Sequence, residues 1–318
     1  MTNPELYRAI CSQSPASIPV FSQCWWLDAV CDRWDVALAL KGEEITGAWP
    51  YVKEEKYSIT FRRNPRLTPY LGPHVFYPPD IRPLRRDSHQ HDVIADLITQ
   101  LPAADVWDLG IDPGLRQAGL FRNFGLRIDV RQTFLIPLKE DEETLFQNFK
   151  EPLRRNIRAA EKELTIAEEP AAMQQLFDFG QATLFRKRVR QAYSLEDAQR
   201  LLQACIDNGA GALYVARNAK GAIEAAVWNV WDAGAGYYFM GAKNPESEGY
   251  RATSLLLWHC IREAKKRGNA FFDLEGSMDP GVERFFRNFG GTRELYLVLR
   301  KTGHWLWKLR NMWNRRSN

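Results

Sequence analysis

The sequence predicts an α/β protein with mixed sheets, in which one structural unit occurs twice along the chain. Three observations support this prediction. The chain has 318 residues, which is enough for two ordinary domains. Its composition, 45% hydrophobic and 26% charged, is typical of a globular protein and excludes a disordered or collagen-like chain. Two segments of the first half also recur in the second half, in the same order.

The recurring segments lie 165 positions apart. Trp107–Gly110 (WDLG) corresponds to Phe272–Glu275 (FDLE), and the pentapeptide FRNFG occurs at both Phe121–Gly125 and Phe286–Gly290. An Asp-Pro-Gly turn separates the two segments in each copy, displaced by two positions. We therefore predict two copies of one unit at 1–140 and 141–302, followed by a basic tail at 303–318.

The second copy has the clearer pattern of elements. Apolar residues at helical spacing predict helices over 171–188, 195–207 and 253–267, the last of them beginning with hydroxyl side chains and closing at Gly268. Alternation of apolar and polar residues predicts strands over 211–217, 223–231 and 236–243, with a buried strand at 271–274. A short helix over 282–288 and a last strand over 294–300 complete a mixed sheet with helices on its faces.

The first copy repeats this order with a longer loop in its middle. Its predicted elements are a helix over 23–30, a hairpin of 36–40 with 45–52, a proline-rich loop over 65–83, a helix over 92–101, a strand over 106–109, a helix end at 121–125 and a strand over 128–138. The junction between the copies is expected at 137–143.

Charge and cysteine content exclude several classes of protein. The net charge of +4 is too small to indicate nucleic-acid binding by itself. Five cysteines without CxxC spacing indicate reduced, buried thiols rather than a disulfide scaffold or a zinc site, and the pair His89 and His91 lacks a third ligand. No apolar run is long enough to span a bilayer, and the amino terminus does not resemble a signal peptide, so the sequence predicts a cytoplasmic protein without a metal.

Four stretches resemble the Fem family of cell-wall aminoacyltransferases and their FemAB-like relatives, which consist of tandem acyltransferase domains of the GNAT fold. The stretches are Phe21–Trp26, Pro69–His74, Lys150–Ala160 and Gly249–Gly291. The resemblance implies two tandem GNAT-like domains and an enzyme that forms an amide between an activated acyl or aminoacyl donor and an amine. It requires no metal or redox cofactor. It implies acyl-CoA or aminoacyl-tRNA as co-substrate and a small-molecule or lipid-linked amine, such as a cell-envelope precursor, as acceptor.

In such a fold the acyl donor lies where two neighbouring strands diverge, here 237–241 and 272–275. Glu275 is the first candidate for a general base and Asp273 the second, because both lie at the carboxyl end of a strand. Tyr237 or Tyr238 could donate a proton to the leaving group, but alternation along a strand allows only one of them to do so. Asp273 could instead only cap the turn that follows it.

The donor site is expected to continue into Gly241 and the start of the helix at 253, with Gly249, Arg251, Thr253 and Ser254. Ordinary GNAT enzymes bind a pyrophosphate at this turn, but here Glu246 and Glu248 accompany the one remaining glycine. Each carboxylate about 5 Å from a phosphate would cost roughly 1–3 kcal/mol. Coenzyme A is therefore weakened as a donor but not excluded.

Basic and aromatic residues outside this turn are candidates for substrate binding. Lys150, Arg154 and Arg158 are spaced to share one helix face and could bind a diphosphate in a cleft between the domains, although a solvated charged face would have the same pattern. Arg186 and Arg188 belong to a basic cluster that could bind tRNA phosphates or gate the site. In the first copy we expect Tyr70, Gly72, His74 and Asp108 to contact the acceptor.

The tail at 303–318 combines tryptophans with basic residues and has no acidic residue. This pattern favours peripheral contact with the inner face of a membrane, although the rings could equally pack against the first domain.

Two alternatives to the FemAB-like enzyme stay open at this point. One is an acyl-CoA-dependent GNAT acyltransferase of polysaccharide or lipid biosynthesis, and the other is a non-catalytic binding protein of the same fold.

Overall fold

The computed structural model describes residues 1–276 and 278–303, and within them the chain forms two compact units. One unit comprises Met1–Arg131 and the chain from Leu295 onward, and the other comprises Gln132–Glu294. The division lies nine residues before the predicted boundary at 140, and the last strand, predicted for the second copy, contributes mainly to the first unit. The tail predicted at 303–318 lies outside the described residues, except for Gly303.

The first unit contains helices and strands in the predicted mixed order. Its helices are α1 (Asn3–Gln13), α2 (Cys24–Val30), α3 (Pro83–Gln100) and α4 (Ala118–Asn123). Its strands are β1 (Trp34–Lys41), β2 (Glu44–Val52), β3 (Glu54–Lys56), β4 (Ile59–Arg63), β5 (His74–Val75) and β6 (Val106–Gly110). Strand β7 (Arg127–Pro137) leads out of this unit. Helix α1 and strands β3 and β4 lie outside the predicted elements, and the two strands contain few apolar residues.

The second unit contains the elements of the second copy. Its helices are α5 (Glu142–Gln147), α6 (Glu151–Glu163), α7 (Met173–Arg186), α8 (Leu195–Asp207), α9 (Arg251–Lys266) and α10 (Pro280–Phe286). Its strands are β8 (Leu164–Glu168), β9 (Gly211–Asn218), β10 (Ile223–Trp231), β11 (Ala235–Lys243) and β12 (Phe271–Asp273). Strand β13 (Thr292–Thr302) returns the chain to the first unit, where Val298 pairs with Gly110 of β6.

The sheet of the second unit has the strand order β8-β9-β10-β11-β12-β7. Most neighbours are antiparallel, but β11 and β12 run parallel, so the sheet is mixed as predicted. Helix α9 connects these two strands, and its inward face (Leu256, Leu257, Ile261) is fully buried in the core. Each such side chain contributes about 1.5–3 kcal/mol by leaving water. The core therefore holds β11 and β12 in fixed positions.

The first unit has its own core and two groups of strands. Strands β1, β2 and β5 form one sheet, while β3, β4, β6 and β13 are consecutive neighbours in another. Trp49 packs edge-on against Trp107 and Phe121, all three buried. Among the described residues, no helix is both long and apolar enough to cross a bilayer.

Candidate functional site

The parallel strands β11 and β12 separate partway along their length. They pair only at Ala235 with Phe271, Gly236 with Phe272, and Tyr237 with Asp273. Beyond this point β11 continues to Lys243, and the described residues contain no further pairing between the two strands. A bulge at Phe239 shifts the register of β11 against β10 directly after the last pair. A bulge increases the local twist of a strand, which explains why β11 turns away from β12 here.

Asp273 lies at the last paired position and organises the turn that follows. Its side chain is buried, and its Oδ1 accepts hydrogen bonds from the Thr133 hydroxyl and from the Glu275 backbone N–H, the latter at 2.7 Å. Asp273 thus holds the turn, as the alternative interpretation of this residue expected. Thr133, on β7, gave no signal in the sequence.

Glu275 stands immediately past the end of β12 in a left-handed conformation, with φ of 53°. The side chain is half-buried, and the described residues provide no hydrogen-bond partner for Oε1, which is sealed from solvent. Burial, and secondarily the charge of Asp273, holds the pKa of Glu275 well above its usual range. A strained backbone and an unpartnered carboxyl group cost stability, and such costs concentrate at functional sites.

Gly276 allows this turn to pack against β7. Its φ is 33°, and a Cβ atom at this position would lie 1.9 Å from the carbonyl oxygen of Gln132. Only glycine fits so close to another backbone. The approach to β7 therefore fixes the position of the neighbouring Glu275.

The two candidate tyrosines have different surroundings. The Tyr237 hydroxyl donates to Asp232 in the turn before β11, at 3.1 Å. The Tyr238 ring packs against Phe286 and folds back along its own strand, so that a Cβ on Gly241 would lie 2.1 Å from its hydroxyl oxygen. Burial raises the pKa of Tyr238, which keeps its proton in place at neutral pH. Of the two, Tyr238 is the one whose hydroxyl has no hydrogen-bond partner among the described residues.

The start of α9 borders a cavity of about 180 Å³ that contains more acidic than basic side chains. Gly249, with φ of 63°, makes the turn into the helix. Arg251 pairs with Glu163 at 3.3 Å, and Lys243 donates to the Ser247 carbonyl, so both cations already have partners. The residues that line this cavity include Glu163, Glu224, Glu248, Lys243, Arg251 and Thr253.

The hydroxyl groups of α9 differ in their bonding. Ser254 donates to the Tyr250 carbonyl at 2.7 Å, which satisfies it within the helix. The Thr253 hydroxyl is buried at the cavity, and no group among the described residues bonds to it.

The comparisons with known proteins agree with this geometry. Residues 147–287 match the model of the acetyltransferase (GNAT) domain family. These residues contain β11, α9, β12 and the site built on them. Residues 147–287 form a GNAT acyltransferase domain. The prediction of the enzyme class is thereby confirmed.

Two solved structures show that the tandem fold extends over the whole chain. FemX is 12% identical, with a TM-score of 0.67 over 97% of this chain and 98% of its own. L-PGS from Bacillus licheniformis is 12% identical, with a TM-score of 0.57 over 99% of this chain and 96% of its own. The FemAB-like tandem GNAT fold predicted from sequence is therefore confirmed, while identities this low leave the substrate open. No curated protein matches this chain.

The basic side chains predicted to share one face of α6 are partly used in contacts within the protein itself. Arg154 donates to the carbonyls of Gln147 and Phe149 at 2.7 and 2.6 Å, closing the end of α5. Arg158 lies 5.4 Å from the Phe146 ring, and Lys150 is exposed at the start of the helix. Arg158 and Lys150 remain the better placed of the three for binding an anion.

The basic cluster containing Arg186 and Arg188 lies at the end of α7, where both side chains are exposed. Lys187 of the same cluster forms an ion pair at 2.6 Å with Asp279, the residue that caps α10. Sequence reasoning missed this pair because the two residues are far apart in the chain.

The candidates of the first unit have structural roles there. Tyr70 is buried and packs edge-on against Tyr296, and Gly72 lies against Ile111, whose side chain would be 3.0 Å from an added Cβ. The Nε2 atom of His74 is sealed without a partner among the described residues, and burial lowers the pKa of this imidazole to about 4. Asp108 is exposed and pairs with Arg300 at 3.2 Å.

GNAT domains generally take acyl-CoA as co-substrate. Among the described residues, no cluster of histidine, cysteine and carboxylate side chains is arranged to hold a metal.

Proposed function

We propose that the unit Gln132–Glu294 catalyses N-acyl transfer, joining an activated acyl or aminoacyl group to an amine, with Glu275 as the general base. The observation that carries this proposal is the placement of Glu275. Its carboxyl group stands where β11 and β12 diverge, its Oε1 has no hydrogen-bond partner among the described residues, and its pKa is raised. A raised pKa makes the Glu275 carboxylate a stronger base, so the direction of the shift favours this role.

The proposed step balances without a covalent enzyme intermediate. The acceptor nitrogen attacks the donor carbonyl and forms the new C–N bond, and its proton passes to the Glu275 carboxylate. The bond from the carbonyl carbon to the sulfur or oxygen of the donor breaks, and Tyr238 gives its hydroxyl proton to that leaving atom. Backbone N–H groups of β11 beyond Tyr237, which β12 does not engage, can stabilise the oxyanion.

In this mechanism Asp273 is a positioning residue, which holds Glu275 in place. Its Oδ1 holds both Thr133 and the Glu275 N–H, and its charge helps to raise the pKa of Glu275. An Asp273→Asn variant keeps an acceptor oxygen for both bonds but removes the charge. We therefore expect the pH–rate profile to move to lower pH, an effect that loss of structure alone would not produce.

Variants of the two carboxylates test the chemistry. We expect Glu275→Gln to lower kcat by about 10²–10⁴, the usual contribution of a general base. Glu196→Gln, an exposed change at the start of α8, is the matched control and should retain activity. Product formation that is unchanged in a double variant, Asp273→Asn with Glu275→Gln, would remove the assignment.

The donor is proposed to be acyl-CoA or an aminoacyl-tRNA. The GNAT family match favours acyl-CoA, whereas the acidic lining of the cavity at α9 opposes its pyrophosphate. Calorimetric titration with acetyl-CoA separates the two, since micromolar binding supports acyl-CoA. The absence of binding, combined with turnover of an aminoacyl-tRNA, supports the aminoacyl donor.

The acceptor is proposed to be a small or lipid-linked amine of the cell envelope. The resemblance to the Fem family and the similarity in fold to FemX and L-PGS support this class. Turnover assays with amine acceptors of increasing size, using the donor found by calorimetry, test it.

A further inference from the structure

The end of α7 exposes apolar and cationic side chains next to one another. We define the basic loop as residues 185–190. Phe185 is 82% exposed and Val189 is 52% exposed, which is unusual for large apolar side chains. Between them in the sequence lie Arg186, Lys187 and Arg188, and Arg190 follows Val189.

The backbone of the basic loop has a defined conformation. The N–H groups of Arg188 and Val189 donate to the carbonyls of Phe185 and Leu184, each at 3.0 Å, as in the hydrogen-bonded cap that ends many helices. Arg188 occupies the left-handed position of this cap, with φ of 55°, where glycine is favoured. An arginine that is strained at a position suited to glycine indicates that its positive charge has a function.

The cations of the basic loop differ in their availability. Lys187 is bound to Asp279, which attaches the loop to the start of α10. Arg186 has only a 3.4 Å contact with Thr183 of its own helix. No carboxylate of the described residues pairs with Arg186, Arg188 or Arg190, so three guanidinium groups remain available for an external anion.

A wide groove of about 670 Å³ runs beside the basic loop. Leu184, Phe185, Val189 and Pro245 contribute apolar surface to it, while Arg186 and Arg190 lie at the same groove. The one carboxylate that lines it, Asp178, accepts a hydrogen bond from Gln174. The surface as a whole is therefore both apolar and positively charged.

We propose that the basic loop docks this acyltransferase on an anionic lipid bilayer. Phe185 and Val189 insert between the headgroups, and the three free arginines meet lipid phosphates. A bilayer fits better than a nucleic acid, because a base could stack on the Phe185 ring but not on the aliphatic Val189, whereas a bilayer accommodates both side chains. The inference does not depend on the proposed chemistry, since lipid binding is measured without substrates.

Co-sedimentation of the full chain with phosphatidylcholine vesicles, with and without phosphatidylglycerol, tests the proposal. We expect the double variant Phe185→Ser, Val189→Ser to bind the anionic vesicles about tenfold more weakly. Leu84→Ser, which changes a residue that is 91% exposed in the first unit, is the matched control and should bind as the wild type does. Higher salt should weaken wild-type binding, because it screens the arginines.

Arg188→Gly separates charge from folding. It removes one cation at a position that suits glycine, so the loop conformation should persist while binding to anionic vesicles falls by about fivefold.

The same variants are measured in a chain whose Trp305, Trp307 and Trp313 are replaced by serine, so that any binding by the tail does not obscure the effect. Equal vesicle binding by wild type and both loop variants overturns the proposal. So does a loss of tRNA binding in Arg188→Gly while its vesicle binding stays unchanged.

Discussion

The two units end the same strand in different ways. In the second unit, the parallel pair of β11 and β12 stops at Tyr237 with Asp273, and the turn carrying Glu275 stands at the opening. In the first unit, the equivalent pair of β4 and β6 stops at Arg63 with Asp108. Asp108 corresponds to Asp273 in the repeat. Up to this point the two units have the same construction.

Beyond it, the first unit fills the opening with its own chain. Leu71 donates its N–H to the Gly110 carbonyl at 3.0 Å, and the Asn64 side chain donates to the carbonyls of both Pro69 and Gly110. Gly110 corresponds to Glu275, and a Cβ there would lie 2.9 Å from the Pro69 oxygen. The first unit thus fills the opening by packing, whereas the second unit keeps it open. The cost in the second unit is a strained Glu275 whose Oε1 has no hydrogen-bond partner among the described residues.

The largest expected effect comes from making the second unit like the first. Glu275→Gly copies Gly110 and removes both the carboxyl group and the left-handed strain. We expect kcat to fall by about 10²–10⁴ while the free energy of unfolding rises by about 1 kcal/mol. Steady-state kinetics and urea titration measure the two changes. A variant that lost stability along with activity would contradict the view that Glu275 is held under strain.

Gly276 is expected to have the next largest effect. Because an added Cβ would collide with the Gln132 carbonyl, Gly276→Ala should lower the free energy of unfolding by roughly 3 kcal/mol. Gly180→Ala, in α7 with open space around its Cβ position, should raise it by about 0.5–1 kcal/mol. If urea titration gave equal stabilities for the two alanine variants, the close approach of the turn to β7 would be wrong.

Acid should destabilise the protein through His74 of the first unit. Burial lowers its pKa to about 4, below the value near 6.5 of an unfolded chain. The unfolded state therefore binds the proton more readily, and stability present above pH 6.5 is lost as the pH falls toward 4. Between pH 6.5 and pH 4, we expect the free energy of unfolding of His74→Gln to fall by about 2 kcal/mol less than that of the wild type. If the free energy of unfolding fell equally in the wild type and in His74→Gln, the His74 side chain would be solvated rather than buried.

Glu275 of the second unit should respond to pH in the opposite direction. Since burial raises its pKa, the folded state holds the proton more tightly than the unfolded state does. Stability present below the unfolded pKa, near 4.3, is lost as the pH rises toward the folded value. Glu275→Gln should therefore have a flatter stability profile above pH 4.3. Identical profiles, measured by urea titration across this range, would argue against a buried carboxyl group.

The smallest effect is expected at Gly110. An alanine there must displace the Pro69 carbonyl, but the loop can move by a few tenths of an ångström, so the cost should be about 1 kcal/mol. The free energy of unfolding measures this cost, and kcat should not change with it. A fall in kcat would show that the filled opening contributes to catalysis.

The helices were largely predictable because their apolar faces are local patterns. The prediction for α8, 195–207, agrees with the observed bounds, and Ser194 begins this helix by accepting the Asp197 N–H. The prediction for α9 differs from the structure by two residues at its start and one at its end. Strand β4 lies outside the predicted elements because only Ile59 and Phe61 of its five residues are apolar, which is too few to distinguish it from a loop.

The repeat, the order of helices and strands along the chain and the carboxylates at the end of β12 follow from the sequence by itself, because they depend on residue types at fixed spacing along the chain. Only the tertiary structure decided which opening is filled. That outcome depends on contacts between distant residues, such as Thr133 with Asp273 and Pro69 with Gly110. Spacing along a chain carries no information about such contacts, since packing and hydrogen bonding select them only when the whole unit folds.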